Sequence, residues 1–152
     1  MGINNISQQD AEGENVYINQ VSVFLENKAG RLAEITGVLA DSGVNIRAMS
    51  IADTKDFGIL RMIVDAPDAA CACLKDAGFR VKETPVVGIV LDHKPGGLHK
   101  VLKLMDDRGI SVEYLYDYLS AGDAEKVTII AKLENQDDAV AVLKDAGIEF
   151  MQ

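Results

Sequence analysis

The residues best placed to hold a small molecule lie in one short run, Leu25-Glu26-Asn27-Lys28-Ala29-Gly30-Arg31-Leu32. Alternating Val21, Val23 and Leu25 predict a strand before it, and Leu32, Ile35 and Leu39 predict a helix after it. Gly30 lets the backbone turn tightly at that corner, and the first N–H groups of the helix have no intrahelical acceptor. Such a corner attracts a carboxylate. Asn27 either caps the turn or offers its amide to a ligand, and an amide with both donors and an acceptor suits a zwitterion. Taken singly, these residues also describe an ordinary helix start. The distinguishing signal is recurrence, because Leu91-Asp92-His93-Lys94-Pro95-Gly96-Gly97-Leu98 repeats the run at an offset of 66 residues, Gly30 falling on Gly96.

The remaining chemistry-bearing residues assemble nothing comparable. His93 and His99 are the only histidines, and no metal set gathers around them. Cys71 and Cys73 are two apart on a predicted helix and point to different sides, where a shared metal or a disulfide is hard to form. Tyr114, Tyr116 and Tyr118 alternate along a predicted strand and share one face, most simply as packing residues, with a stacking wall for a ligand as the sharper alternative. No nucleophile–base pair, phosphate-binding glycine loop or paired carboxylates stand out, so no catalytic residue, metal or cofactor is expected. With 24 acidic and 15 basic side chains the net charge is −9, which repels nucleic acid and anionic membranes. The two cysteines fit a reducing cytoplasm.

The elements that must position the loops follow from the same repeat. Leu74-Lys75-Asp76-Ala77-Gly78 returns letter for letter as Leu143-Lys144-Asp145-Ala146-Gly147, now at an offset of 69, so three residues enter between the two matches. Each unit reads as strand, helix, two strands, helix, strand. In the first, the helix stops at Gly43, strands follow over 44–52 and 58–65, a second helix buries Ala70, Cys73, Leu74 and Ala77, and 79–82 closes the unit. The second has Leu98, Val101 and Met105 on its first helix, Ala139, Val142, Leu143 and Ala146 on its second, and 148–151 as its closing strand. The three extra residues fit the turn at 120–125, which answers to 53–57. The fold class is therefore α+β, two ferredoxin-like βαββαβ units in tandem, with antiparallel sheets and the helices of each on one face. Residues 1–15 read as a polar, disordered leader, 16–83 as the first domain and 84–152 as the second, with Pro85 at an almost unbroken junction. Ile46 and Ala48 on one side of the second strand, with Met49 and Ile51 on the other, suggest that the open sheet face is also covered, and a homodimer is expected on that ground.

Asn27-Lys28-Ala29-Gly30-Arg31-Leu32, followed a helix later by Gly43-Val44-Asn45-Ile46, resembles the signature of the ACT family; the second unit carries it in altered form, and the resemblance covers about residues 16–152, nearly the whole chain. The resemblance implies a regulatory protein that binds a free amino acid without catalysis, with units joined edge to edge through their second strands. Ligands in the family lie between the glycine loop of one unit and the second-strand start of its partner. Carried onto this chain, that implicates Asn27, Ala29, Gly30, Arg31 and Leu32 with Asn45 and Ile46, and His93, Pro95, Gly96, Gly97 and Leu98 with Ser111 and Val112. His93 and Ser111 replace the two asparagines, so the sites need not be equivalent. A regulated enzyme or transcription factor is a further implied partner.

The same fold serves other functions. An RNA-binding sheet needs basic and aromatic residues on its third strand, where Gly58-Ile-Leu-Arg-Met-Ile-Val64 has one arginine and no ring. A metal chaperone needs a Cys-x-x-Cys loop, absent here. An acyl-phosphate hydrolase would use an arginine and an asparagine; Arg31 and Asn45 exist, but their surroundings fit the ACT pattern better. The other alternative is a protein-interaction scaffold with no ligand.

Overall fold

The computed structural model describes residues 15–151 except 27, 54–55 and 120–123; all but the last residue of the expected leader lie outside them. The described chain runs β1 (Tyr17–Glu26), α1 (Arg31–Asp41), β2 (Ile46–Asp53), β3 (Phe57–Val64), α2 (Pro67–Asp76), β4 (Arg80–Asp92), α3 (Gly97–Asp107), β5 (Val112–Tyr118), β6 (Lys126–Leu133), α4 (Gln136–Asp145) and β7 (Glu149–Phe150). All strand pairings are antiparallel, in the order β2-β3-β1-β4-β6-β5, with β7 also beside β4.

Two βαββαβ units are present, and they share a strand. Residues 80–87 of β4 pair with β1 and close the first unit, while 87–92 pair with β6 and open the second. The boundary expected between 83 and 84 falls inside this strand. Pro85 is tolerated because β4 pairs there on one side only, with Asn19 of β1. Its carbonyl accepts a 2.9 Å hydrogen bond from Gln136 Nε2 at the start of α4, which ties the junction to the second unit.

Each unit buries a core between its helices and one sheet face: Ile35, Leu39 and Leu74 on Val23, Leu60 and Met62 in the first, and Val101, Met105 and Leu143 on Ile89, Ile129 and Leu133 in the second. A third core lies between the two open sheet faces, where Ala48, Ile63, Val86, Tyr116 and Ile130 meet. The open faces therefore cover one another within one chain, and the sheet argument for a second copy is met internally. At the centre of this layer Gln20, fully buried, donates to Tyr114 Oη at 2.8 Å and accepts from Tyr116 Oη at 2.6 Å. The Arg61 guanidinium lies 3.7 Å from the Tyr114 ring centre. The tyrosine stripe is thus an inter-sheet packing wall, with the hydroxyls of Tyr114 and Tyr116 satisfied by Gln20.

Three expectations about burial need correction. The pairing of β2 with β3 shifts register between Ile46 and Ala48, so the two face opposite ways: Ile46 packs under the helices and Ala48 between the sheets. Leu32 is 39% exposed, because at the first turn of α1 it lies beyond the part of the sheet that buries Ile35 and Leu39. Ala77 and Ala146 are exposed as the C-caps of α2 and α4; Cys71 takes a buried place beside Ala70 and Leu74, with Cys73 only partly buried, and Val140 does so beside Ala139 and Leu143, with Val142 only partly buried.

Candidate functional site

The two strand-to-helix corners have the same backbone geometry. Gly30 has φ 86° and ψ −5°, and Gly96 has φ 86° and ψ −8°, the left-handed region that glycine enters without strain. At the next position the corners differ. A Cβ on buried Gly97 would stand 2.0 Å from the Asp92 carbonyl oxygen, so that corner admits only glycine. The first unit has Arg31 there, whose guanidinium reaches Glu34 at 3.1 Å and Glu26 at 3.8 Å, while Lys28 reaches Glu26 at 3.0 Å. The hydrogen bond from Lys28, then its charge, and finally the charge of Arg31 hold the Glu26 carboxyl below the usual carboxylate range. Asn27 lies outside the described residues.

Beneath the first corner is an open cavity of about 450 Å³. Lys28, Ala29, Gly30, Arg31 and Leu32 form one side, and Ile51, Asp53 and Gly58 another. Gly58 explains it. In β3 it pairs with Leu25 of β1 on one side and with Asp53 of β2 on the other, and having no side chain it leaves a hollow between them. Asp53 and Gly58 are members of the cavity that the reading of the loop alone does not find. A glycine inside an apolar strand is the signal that points to them.

The second-strand residues stand elsewhere. Asp53 ends β2 at the cavity, while Asn45 and Ile46 stand at its start, roughly 23 Å away at about 3.3 Å per residue. Asn45 N–H donates to Asp65 Oδ1 at 2.9 Å, and Asp65 N–H returns a bond to the Asn45 carbonyl at 3.1 Å. The Ser111 carbonyl likewise accepts from Glu134 N–H at 2.9 Å, and Val112 packs on the second core. Within one unit, then, the glycine loop and the strand start lie at opposite ends of the sheet.

Between units the ends cross. Leu119 N–H donates to the Arg47 carbonyl at 3.0 Å, which sets the end of β5 beside the start of β2. The second loop belongs to that same end of its unit: His93 N–H donates to the Glu125 carbonyl at 2.8 Å, and Lys126 reaches Asp92 at 2.7 Å. The structure therefore brings His93, Pro95, Gly96, Gly97 and Leu98 to the end of the molecule that holds Asn45 and Ile46. Lys126, first by its hydrogen bond, lowers the Asp92 carboxyl below its ordinary range.

Among the described residues no three metal-binding side chains come together, and no helix is long and apolar enough to cross a membrane. Cys71 Sγ faces Glu83, and Cys73 Sγ faces the Ala70 carbonyl. Burial, then the bond to Glu83, pushes the Cys71 thiol up to about 11, away from the reactive thiolate.

A family model described as an ACT domain pair matches residues 16–152. The crystal structure of protein BT0572 from Bacteroides thetaiotaomicron is 40% identical, with a TM-score of 0.84 over 91% of this chain and 94% of that one. The ligand-free regulatory subunit of aspartate kinase from Thermus thermophilus superposes with a TM-score of 0.61 at 15% identity, over 84% of this chain and 91% of that one. The corresponding subunit from Thermus flavus gives 0.59 at 13%, over 87% and 94%. The last two are likenesses of fold. No curated protein matches the chain.

Proposed function

Because the chain belongs to the ACT family, as a domain pair over residues 16–152, a family of regulatory domains, we propose that it binds a free amino acid at its glycine loops and performs no chemistry on it. The observation that carries this reading is the first-unit cavity, where the opening turn of α1 stands on one side and Asp53 on the other. A helix N-terminus attracts a carboxylate and an aspartate attracts an ammonium group, so the two together suit the two charges of an amino acid. Ala29, Gly30 and Leu32 shape the carboxylate end, and Lys28 and Arg31 stand beside it in ion pairs with Glu26 and Glu34; Asn27, outside the described residues, belongs to the proposed set by its place in the loop motif. In the second unit His93, Pro95, Gly96, Gly97 and Leu98 form the matching corner, with Asn45 and Ile46 at the same end of the molecule. Ser111 and Val112, at the start of β5, are the remaining members of the expected set. In this proposal the two domains, 16–83 and 84–152, are joined through the shared strand β4 and function as one cytoplasmic body.

A homodimer remains part of the proposal on a different surface. Met49 and Ile51 on the helix side of β2 are 42% and 46% exposed and continue to Leu32 at the cavity rim. The bound state would act on a regulated enzyme or transcription factor through such a surface.

The test is thermal melting with each proteinogenic amino acid in turn. A ligand selective for the folded state at a hundredfold excess over Kd adds about 2.7 kcal/mol, which for a chain of this size is roughly 5–11 °C. One amino acid or a few related ones should produce that rise, and their amides and decarboxylated amines should not. If none moves the transition at millimolar concentration, the sensor reading fails and the scaffold reading replaces it.

A further inference from the structure

On the other side of the Glu26–Arg31 pair from the glycine-loop cavity lies a second open cleft, of about 460 Å³. Its walls carry three phenyl rings, Phe24, Phe57 and Phe79, and two guanidinium groups, Arg31 and Arg80. Each guanidinium stands over a ring, Arg31 at 5.9 Å from the centre of Phe79 and Arg80 at 5.7 Å from that of Phe24. Arg31 is also held by Glu26 and Glu34, whereas Arg80 has no ion pair among the described residues. Phe57 is 62% exposed and Phe24 41% exposed, although neither is needed to cover a core.

The second unit makes the arrangement informative, since strand register identifies each counterpart. Phe24 pairs with Arg80 as Val90 pairs with Glu149, and Glu26 pairs with Phe57 as Asp92 pairs with Lys126. The repeat offsets put Gly97 in place of Arg31 and Ile148 in place of Phe79. Where the first unit has three rings and two arginines, its twin has aliphatic side chains, a glycine, a glutamate and a lysine already paired with Asp92. The backbone plan therefore does not require the cluster. It is an addition to one unit, and it places cations against aromatic faces in a chain whose net charge is −9.

We infer that this cleft is a binding site for a small aromatic carboxylate, separate from the amino-acid site. Arg80 offers the planar fork that matches a carboxylate in two parallel hydrogen bonds, and a cation–π contact with Phe24 keeps that fork beside the ring. The phenyl rings supply flat apolar walls for the ligand ring, and a cleft of this size takes one small molecule. A free ammonium group is not needed, because the acidic group at the rim, Glu26, is already taken by Lys28 and Arg31.

The probe is benzoate, followed through the backbone amide resonances of Ala77, Gly78 and Arg80 in the intact protein. Saturable shifts at these amides are expected, with no comparable response to benzamide and a weaker one to cyclohexanecarboxylate. Arg80→Gln should weaken benzoate by about tenfold or more, Phe57→Ala should weaken it several-fold, and neither should alter the amino-acid melting response. Phe57→Ala, at an exposed position, keeps the test open if Arg80→Gln folds poorly. The site is overturned if benzoate gives no saturable shift at about 20 mM, if benzamide binds as well, or if both variants leave the affinity unchanged. It is likewise overturned if the same amides shift with protein concentration alone, which would assign the cleft to a second copy of the chain.

Discussion

Leu119 N–H bonds to the carbonyl of Arg47 at 3.0 Å, joining the two ends of the sheet path, β5 and β2. The first-unit and second-unit edges thereby meet, and the sheet curls around the layer of Gln20, Tyr114 and Tyr116. Leu119→Pro removes this donor, and Tyr118 before it is already extended, as a residue preceding proline prefers. The expected loss is about 1 kcal/mol relative to Leu119→Ala, or roughly 2–4 °C in melting temperature. Identical melting of the two variants would show that the bond does not hold the seam.

Gln20 is the shared partner of two tyrosines from the other unit. In Gln20→Leu both hydroxyls lose that partner in a buried layer, at a cost of about 2–3 kcal/mol. Tyr116→Phe, which removes only the hydroxyl bonded to Oε1, should cost about 1 kcal/mol. Urea denaturation distinguishes the two, and a Gln20→Leu midpoint equal to the parent's would mean the layer tolerates unpaired hydroxyls.

Tyr17 at the start of β1 donates a hydrogen bond to Asp137 in the first turn of α4. Burial first, then that bond and the carboxylate's charge, push its hydroxyl up to about 12. The unfolded chain loses this proton near its ordinary value of about 10, so between those values the folded state holds the extra proton. Stability therefore falls as pH rises through this window. Tyr116, raised mainly by burial, contributes with the same sign. Tyr17→Phe should flatten, without abolishing, the alkaline decline in denaturation midpoint; an unchanged slope would remove Tyr17 from it.

Gly58 is the cleanest place to fill the glycine-loop cavity. A Cβ there meets ordinary contacts, Leu25 Cβ at 3.7 Å and Asp53 Oδ1 at 3.8 Å, and the strand favours a β-branched residue. Gly30→Val, the direct block suggested by the loop, also strains a backbone at φ 86° and so does not test the cavity alone. Gly58→Val should melt within a few degrees of the parent yet lose the amino-acid response, and Asp53→Asn should weaken binding by about tenfold. A full response in both variants would place the ligand elsewhere.

The local decisions were legible in the sequence because they depend on near neighbours. Hydrophobic period, the glycines that end helices, and the recurrence of Gly30 as Gly96 determined the order of elements and the two corners. Only the tertiary structure decided what depends on chain segments meeting from a distance. No local signal separates the strands on either side of Pro85, so whether they stay apart or fuse into β4 rests on their pairing with β1 and β6. The register shift near Arg47 turns Ile46 and Ala48 to opposite faces, an event set by β3 and invisible in strict alternation. The open faces found their cover in each other, since Gln20 and Tyr116, 96 residues apart, meet only after the sheet curls. Asp53 entered the cavity, and Phe24, Phe57 and Arg80 gathered beside it, because antiparallel pairing carries distant residues to one end of a sheet. Sequence spacing describes a chain along its length, and these sites are built across it.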